Sequence, residues 1–294
     1  MSDKTVYDTC EARIRALTEA YPRTLEAFSF GGSYLGRTIT ALRLGEGNHQ
    51  LLYLGGVCGS LFTTELLLRF AGDYADAVKT GRRIAGIDIS YLFHTRTITV
   101  VPLLNPDGAV LRAEGSDGKN PLTERLISMS GNGGDFSLWE SNGRGVDLRC
   151  NYNAQFEVCM ANAAAVGTPG YPGMHPESEP ECAAVGRFLR GIPVLDLGIQ
   201  FLEGIPGEKG VIAWNSRSGA DYRTRTVAQI LSGHSGYRED DGLRPGSLKD
   251  WHRSRCAGPF FEISCYRECE EFSQAFLTLR YGQLQKLLFH SAVL

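Results

Sequence analysis

Residues 51–70, LLYLGGVCGSLFTTELLLRF, decide the fold. Leu51 to Leu54 are apolar without a break, which suits a short strand buried on both faces. Gly55 and Gly56 permit a tight turn. From Ser60 onward a hydroxyl cap is followed by Leu61, Leu66, Leu67, Leu68 and Phe70, the pattern of a buried helix. Strand, glycine turn and helix make half of a βαβ unit, and in open α/β sheets ligands sit beyond the carboxyl ends of strands. Val57 to Phe62 are therefore predicted to border any reactive centre. What stands there is Cys58, Gly59, Ser60 and Leu61, with no histidine and no carboxylate.

Working outward, the 294 residues suffice for one large α/β domain over 1–294, and a second domain is not required. A hydrophobic share of 43% with 21% charged residues is that of an ordinary globular protein. A net charge of −3 argues against a nucleic-acid partner, which would call for a basic surface. No run approaches the roughly 18 apolar residues of a membrane span. The polar start, MSDKTVYDTCEARIRAL, lacks the character of a signal peptide, so a cytoplasmic location is expected. Without a secretory signal the eight cysteines are expected as thiols. Cys265 and Cys269 are four apart and no CxxC occurs, which gives no zinc-knuckle spacing.

Thr5 to Ala20 reads as a helix stopped by Pro22, and Phe28 to Leu44 as an edge hairpin around a glycine turn. Thr97 to Leu104 is a second buried strand ending in the Asn105-Pro106-Asp107-Gly108 turn. Ala113 to Gly145 reads as a long polar loop, Gly145 to Leu148 as a short strand or turn, and Ala161 to Pro176 as another loop. Ser178 to Arg190, Tyr222 to Ser232 and Glu270 to Phe289 read as helices. Val194 to Leu202, Val211 to Trp214 and Pro259 to Ser264 read as strands, with Gly233 to Pro245 as loop. The sum is a mixed, mostly parallel sheet with helices on both faces.

Glu262 lies in an apolar strand beside Phe260, Phe261 and Ile263, where desolvation would raise its pKa toward that of a general base or acid. An outward-facing or arginine-paired glutamate fits the same pattern. Cys58 precedes a helix N-terminus, which favours a thiolate. A nucleophilic cysteine also needs a base, and the histidines form no recognisable arrangement with it; a small packing residue is the alternative. Arg144 and Arg149 flank a short segment and have the fork geometry that grips carboxylates, although solvated arginines look the same. GGSYLGR lacks the ending of a phosphate loop, and Glu177, Glu179 and Glu181 read as helix-start charges.

Taken in order, GGSYLGRTITALRLG, LLYLGGVCGSLFTTELLLRFAGDYADA, VVPLLNPDGAVL, LWESNGRGVDLRCNYNAQF, HPESEPECAAVGRFLR, SGYREDDGLRPGSLKDW and GPFFEIS resemble the zinc carboxypeptidase family. The likeness is strongest to the bacterial branch that cleaves γ-D-glutamyl–diamino-acid bonds in cell-wall peptides. The resemblance implies a single-domain α/β fold, a mixed eight-stranded sheet between helices. It also implies zinc held by a His-x-x-Glu at the glycine turn and by a later histidine. Those positions fall on Cys58 and Leu61, and within Phe201 to Gly204, where Leu202 and Glu203 stand. The resemblance makes Glu262 the retained general base. It makes Arg149, Cys150 and Asn151 the substrate-carboxylate region, and Arg144 the arginine beside the scissile carbonyl. Three protein ligands and an open position are what zinc needs to activate water. With all three altered, no metal cofactor is expected, and the expected partner is a peptide or amino-acid-like ligand in a non-catalytic cleft. The alternative is an active peptidase. It would have a rebuilt zinc site from Cys58, Glu203 and a distant histidine, or use Cys58 as nucleophile.

Overall fold

The structure is a computed structural model that describes residues 4–116, 118, 122–131, 133–215, 222–267 and 274–294. Helix α1 (Val6–Ala20) starts at a capping box formed by Thr5 and Asp8, which satisfies two otherwise free backbone donors. Strands β1 (Leu25–Gly32) and β2 (Thr38–Leu44) form the expected edge hairpin. β3 (His49–Leu54) then leads through the glycine turn into α2 (Leu61–Thr80). A small hairpin of β4 (Arg83–Ile84) and β5 (Ile87–Asp88), then α3 (Ile89–Thr95), return the chain to β6 (Arg96–Val101).

α4 (Pro106–Glu114) and α5 (Thr123–Ser130) lie where the sequence suggested a turn and a loop. Asn105 explains the first. Its side-chain oxygen accepts from the Gly108 N–H at 2.9 Å, and Pro106 occupies the first turn, so the supposed turn caps a helix. Gly145 to Leu148 is no strand; it leads into a single 3₁₀ turn, Leu148–Cys150.

α6 (Phe156–Ala161), α7 (Pro180–Gly191), β7 (Leu197–Pro206), β8 (Val211–Ala213), α8 (Tyr222–Ser235), β9 (Arg238–Asp240), α9 (Leu248–Arg255), β10 (Phe260–Arg267) and α10 (Gln274–Ser291) complete the fold. The expected start of the last helix at Glu270, and Cys269, lie outside the described residues.

The sheet has eight strands in the order β1-β2-β6-β3-β7-β10-β8-β9. The centre, β6-β3-β7-β10, is parallel, flanked by antiparallel β2 on one side and β8 on the other. Side chains alternate across it. Tyr53, Ile199, Phe201 and Phe261 enter the core that α2, α8 and α10 cover; Leu52, Leu54, Leu202 and Phe260 enter the core on the opposite face with Trp251. Parallel register pairs Leu54 with Gln200 and Glu262 with Gln200, so the ends of β3, β7 and β10 converge on one edge. Among the described residues no helix is long and apolar enough to cross a membrane.

Candidate functional site

The strand-end edge is built around the turn after β3. Gly56 and Gly59 have φ of 60° and 68°, the left-handed region that glycine enters without strain. A Cβ on Gly59 would lie 2.6 Å from the Ala109 nitrogen, so α2 and α4 start in backbone contact. Asn105 ties three loops together: its side-chain nitrogen donates to the carbonyls of Val57 (3.1 Å) and Ser141 (3.2 Å). With this framework fixed, Cys58 and Leu61 are held at the mouth of the turn.

Neither is presented for chemistry. Cys58 is buried, and burial pushes its thiol well above the usual cysteine range; the nearby Arg149 guanidinium offsets only part of that. A thiol with little thiolate is a poor nucleophile and a poor ligand. Leu61 is the first residue of α2 and carries no donor atom.

Across the cleft, Glu203 near the end of β7 is already engaged. Its Oε1 accepts from Ser60 Oγ at 2.7 Å, and its Oε2 pairs with Arg112 Nη1 at 2.9 Å. Ser60 is also the cap of α2, accepting from Thr63 N at 3.3 Å. Leu202 turns into the core. The zinc of the resembled family does not fit here: one position is a leucine, a second is a buried neutral thiol, and Glu203 has a guanidinium in attendance. Among the described residues no group of three or more histidine, cysteine or carboxylate side chains is placed to hold a metal.

The histidines stand elsewhere. His49 pairs with Asp196 and His94 with Glu46, His175 meets the Pro176 carbonyl, and the rings of His234 and His290 lie 4.1 Å apart. His252 is enclosed against Phe260.

Arg149 is folded back on its own loop. Its Nε and Nη2 donate to the two oxygens of Asp147 at 2.9 and 2.8 Å, and Nη2 also reaches Glu140 at 2.8 Å. Two carboxylates therefore neutralise the guanidinium that the sequence offered for a substrate. Cys150 sits beside it, half-buried, its sulfur 3.4 Å from the Asp147 carbonyl. Asn151 spends its whole amide on structure, donating to the Pro172 and His175 carbonyls and to Ser178 Oγ while accepting from Glu179 N. Arg144 stands apart, over the Tyr34 ring and 3.6 Å from Glu179. Cys58 and Cys265 pack in the cores on opposite faces of the sheet, so the thiols of Cys58, Cys150 and Cys265 do not form one cluster.

Glu262 does occupy the interior of β10, almost fully buried. Desolvation raises its pKa, against the opposing pull of Lys249 and Arg244. Those cations are already committed: Lys249 Nζ donates to Asp250 and Arg244 Nη2 to Asp240, leaving Arg244 Nη1 3.8 Å from Glu262 Oε2. Among the described residues, Glu262 Oε1 and both polar side-chain atoms of its register partner Gln200 have no hydrogen-bond partner. Next to Arg244 a cavity of about 360 Å³ opens, lined also by Asn153, Gln155, Asn215, Asp250 and Arg253.

Sequence inspection missed Arg112, Glu140, Asp147, Gln200 and Arg244, and gave Ser60 only its capping role. For Arg112 no local pattern announces a partner 91 residues away. Asp147 was findable, because an aspartate two residues before Arg149 is in reach of a local fork.

The zinc carboxypeptidase family model (Peptidase_M14) matches residues 10–203, and the chain belongs to that family. It is 28% identical over 250 residues to gamma-D-glutamyl-L-diamino acid endopeptidase 1 of Lysinibacillus sphaericus, covering 82% of this chain and 61% of that protein. It is 27% identical over 200 residues to the uncharacterized protein YqgT of Bacillus subtilis, 66% of this chain and 53% of the relative. The chain thus spans somewhat over half the length of these relatives. Among solved structures, bovine thrombin-activatable fibrinolysis inhibitor superposes with a TM-score of 0.73 at 19% identity, over 98% of this chain and 96% of that one. The murein-tripeptide amidase MpaA of Escherichia coli O157 gives 0.52 at 17% identity, over 92% and 95%. At such identities these two establish a shared fold, with its mixed eight-stranded sheet.

Proposed function

We propose that this member of the zinc carboxypeptidase family binds a peptide, or an amino-acid-like fragment of one, without hydrolysing it through zinc. The observation that carries this reading is the Ser60–Glu203–Arg112 arrangement, a guanidinium–carboxylate pair at the strand end where a metal would be held. Leu61 and the buried Cys58 support it from the facing turn. Glu262 adds to it: a buried carboxyl with its pKa raised by desolvation and one unpartnered oxygen among the described residues stands beside Arg244. The cavity beside Arg244 supplies the space, and the side chains of Asn153 and Gln155 at its wall can pair with peptide amides. A γ-D-glutamyl–L-diamino-acid peptide is the ligand class indicated by the name of the Lysinibacillus relative.

The test is a binding and turnover comparison on one preparation. γ-D-Glutamyl–diamino-acid peptides are titrated by calorimetry, and the same peptides are followed by mass spectrometry with and without added zinc. Binding without cleavage, unchanged by zinc, is expected. Zinc-dependent cleavage overturns the proposal, and so does the absence of binding across cell-wall peptides and ordinary peptides alike.

A further inference from the structure

We propose that the cavity between α5 and the 166–174 loop is a binding site for a carboxylate that carries an apolar group. It measures about 270 Å³ and is lined by Arg125, Arg144, Val146, Val166, Tyr171 and Met174, with Glu179 also at its wall. Arg125 projects from α5, exposed and without an ion-pair partner among the described residues. Arg144 stacks its guanidinium over the Tyr34 ring, 5.5 Å from the centroid. Among the described residues its nearest carboxylate oxygen is Glu179 Oε1 at 3.6 Å, beyond hydrogen-bond distance.

Glu179 does not quench this pair. It is completely buried, and its two oxygens already accept from Ser178 Oγ at 2.7 Å and Asn142 Nδ2 at 2.8 Å. Two guanidinium groups against one carboxylate leave a single positive charge facing the cavity. A planar monocarboxylate matches that charge and the fork geometry. A phosphate dianion would place its second charge against Glu179. The walls choose the rest of the ligand: Val146, Val166 and the Met174 thioether offer apolar surface and a flexible sulfur side chain to a neighbouring alkyl group. A free carboxylic acid and the carboxyl end of a peptide present this same chemistry. The site is distinct from the Cys58–Glu203 cleft and does not depend on the function proposed for it.

Methyl-labelled methionine makes the site observable, because Met174 lines it and Met160, on α6, does not. The full chain is titrated with N-acetyl-leucine, N-acetyl-leucine amide, 4-methylpentanoate and inorganic phosphate, following the methyl resonances by NMR. N-Acetyl-leucine is expected to move the Met174 resonance saturably and leave Met160 in place. Replacing the carboxylate by the amide, or making Arg125→Gln or Arg144→Gln, is expected to weaken binding about tenfold or more, the usual scale for a lost charge-assisted pair. Tighter binding of N-acetyl-leucine than of 4-methylpentanoate identifies a peptide end as the source, and the reverse identifies a free acid; both agree with the proposal. Equal binding of acid and amide, an unmoved Met174, or phosphate binding more tightly than either acid overturns it. Arg125→Gln lies on an exposed helix face, so it still reports if Arg144→Gln disturbs the fold.

Discussion

Glu181 carries the most informative single charge in the molecule. It is completely buried, accepts from Tyr34 N at 3.0 Å and Asn142 Nδ2 at 3.2 Å, and feels Asp107. Burial outweighs those bonds and pushes its pKa up to about 7 from an ordinary 4.5. Between these values the folded protein keeps a proton that the unfolded chain has released. The stabilisation is therefore complete below pH 4.5 and is lost as pH rises through 7, by on the order of 3 kcal/mol. Glu181→Gln should flatten the alkaline side of a plot of urea-unfolding midpoint against pH; an unchanged slope would contradict this account. His252 acts in the opposite sense. Burial lowers its pKa to about 4, so its contribution is present above 6.5 and lost on acidification, and only the difference between wild type and Glu181→Gln isolates the glutamate.

The second residue-scale prediction concerns the pair in the cleft. Arg112→Ala leaves the mostly buried Glu203 carboxylate without its guanidinium and should cost about 2 kcal/mol, while Arg112→Ala with Glu203→Gln should recover part of that. Additive losses in the double variant would mean that the two side chains do not interact.

At the scale of elements, the strand–turn–helix of residues 51–70 does the positioning. Ser60 has two tasks, capping α2 and holding Glu203. Ser60→Ala should destabilise the protein by about 1 to 2 kcal/mol, more than an ordinary cap loss, and Ser60→Thr should restore most of it. Gly59→Ala should be worse, because its positive φ and the backbone of Gly108 and Ala109 leave no room for a methyl group. Urea midpoints check both, and a tolerated Gly59→Ala would mean that the turn is not as tight as described. This element was plain in the sequence because an unbroken apolar run, paired glycines and a hydroxyl cap are all local signals. α3, α5, α9 and β9 were not. They are short, eight residues at most, and too brief to show a clear period, and β9 is completed by parallel pairing with β8.

For the whole molecule, the sheet and the helices on its faces were legible, since the central strands are mostly apolar and alternate with segments of helical spacing. Cys58, Leu61 and Leu202 were named from the ordered motifs only as the positions to which the resemblance assigns ligands, and the contacts around them were not legible. Arg112 with Glu203, Arg149 between Asp147 and Glu140, and Arg244 beside Glu262 are contacts through space. Three buried or half-buried arginines, each against a carboxylate, are what the structure places near these positions in a member of the zinc carboxypeptidase family.

The most direct measurement is zinc content by elemental analysis of the purified, untagged chain, with calorimetric titration of zinc into the same sample. The account predicts far less than one zinc per chain and no micromolar affinity, with Arg112→Ala not sufficient to create it. One zinc per chain, displaced by a chelator and lost in Cys58→Ala or Glu203→Ala, would contradict it.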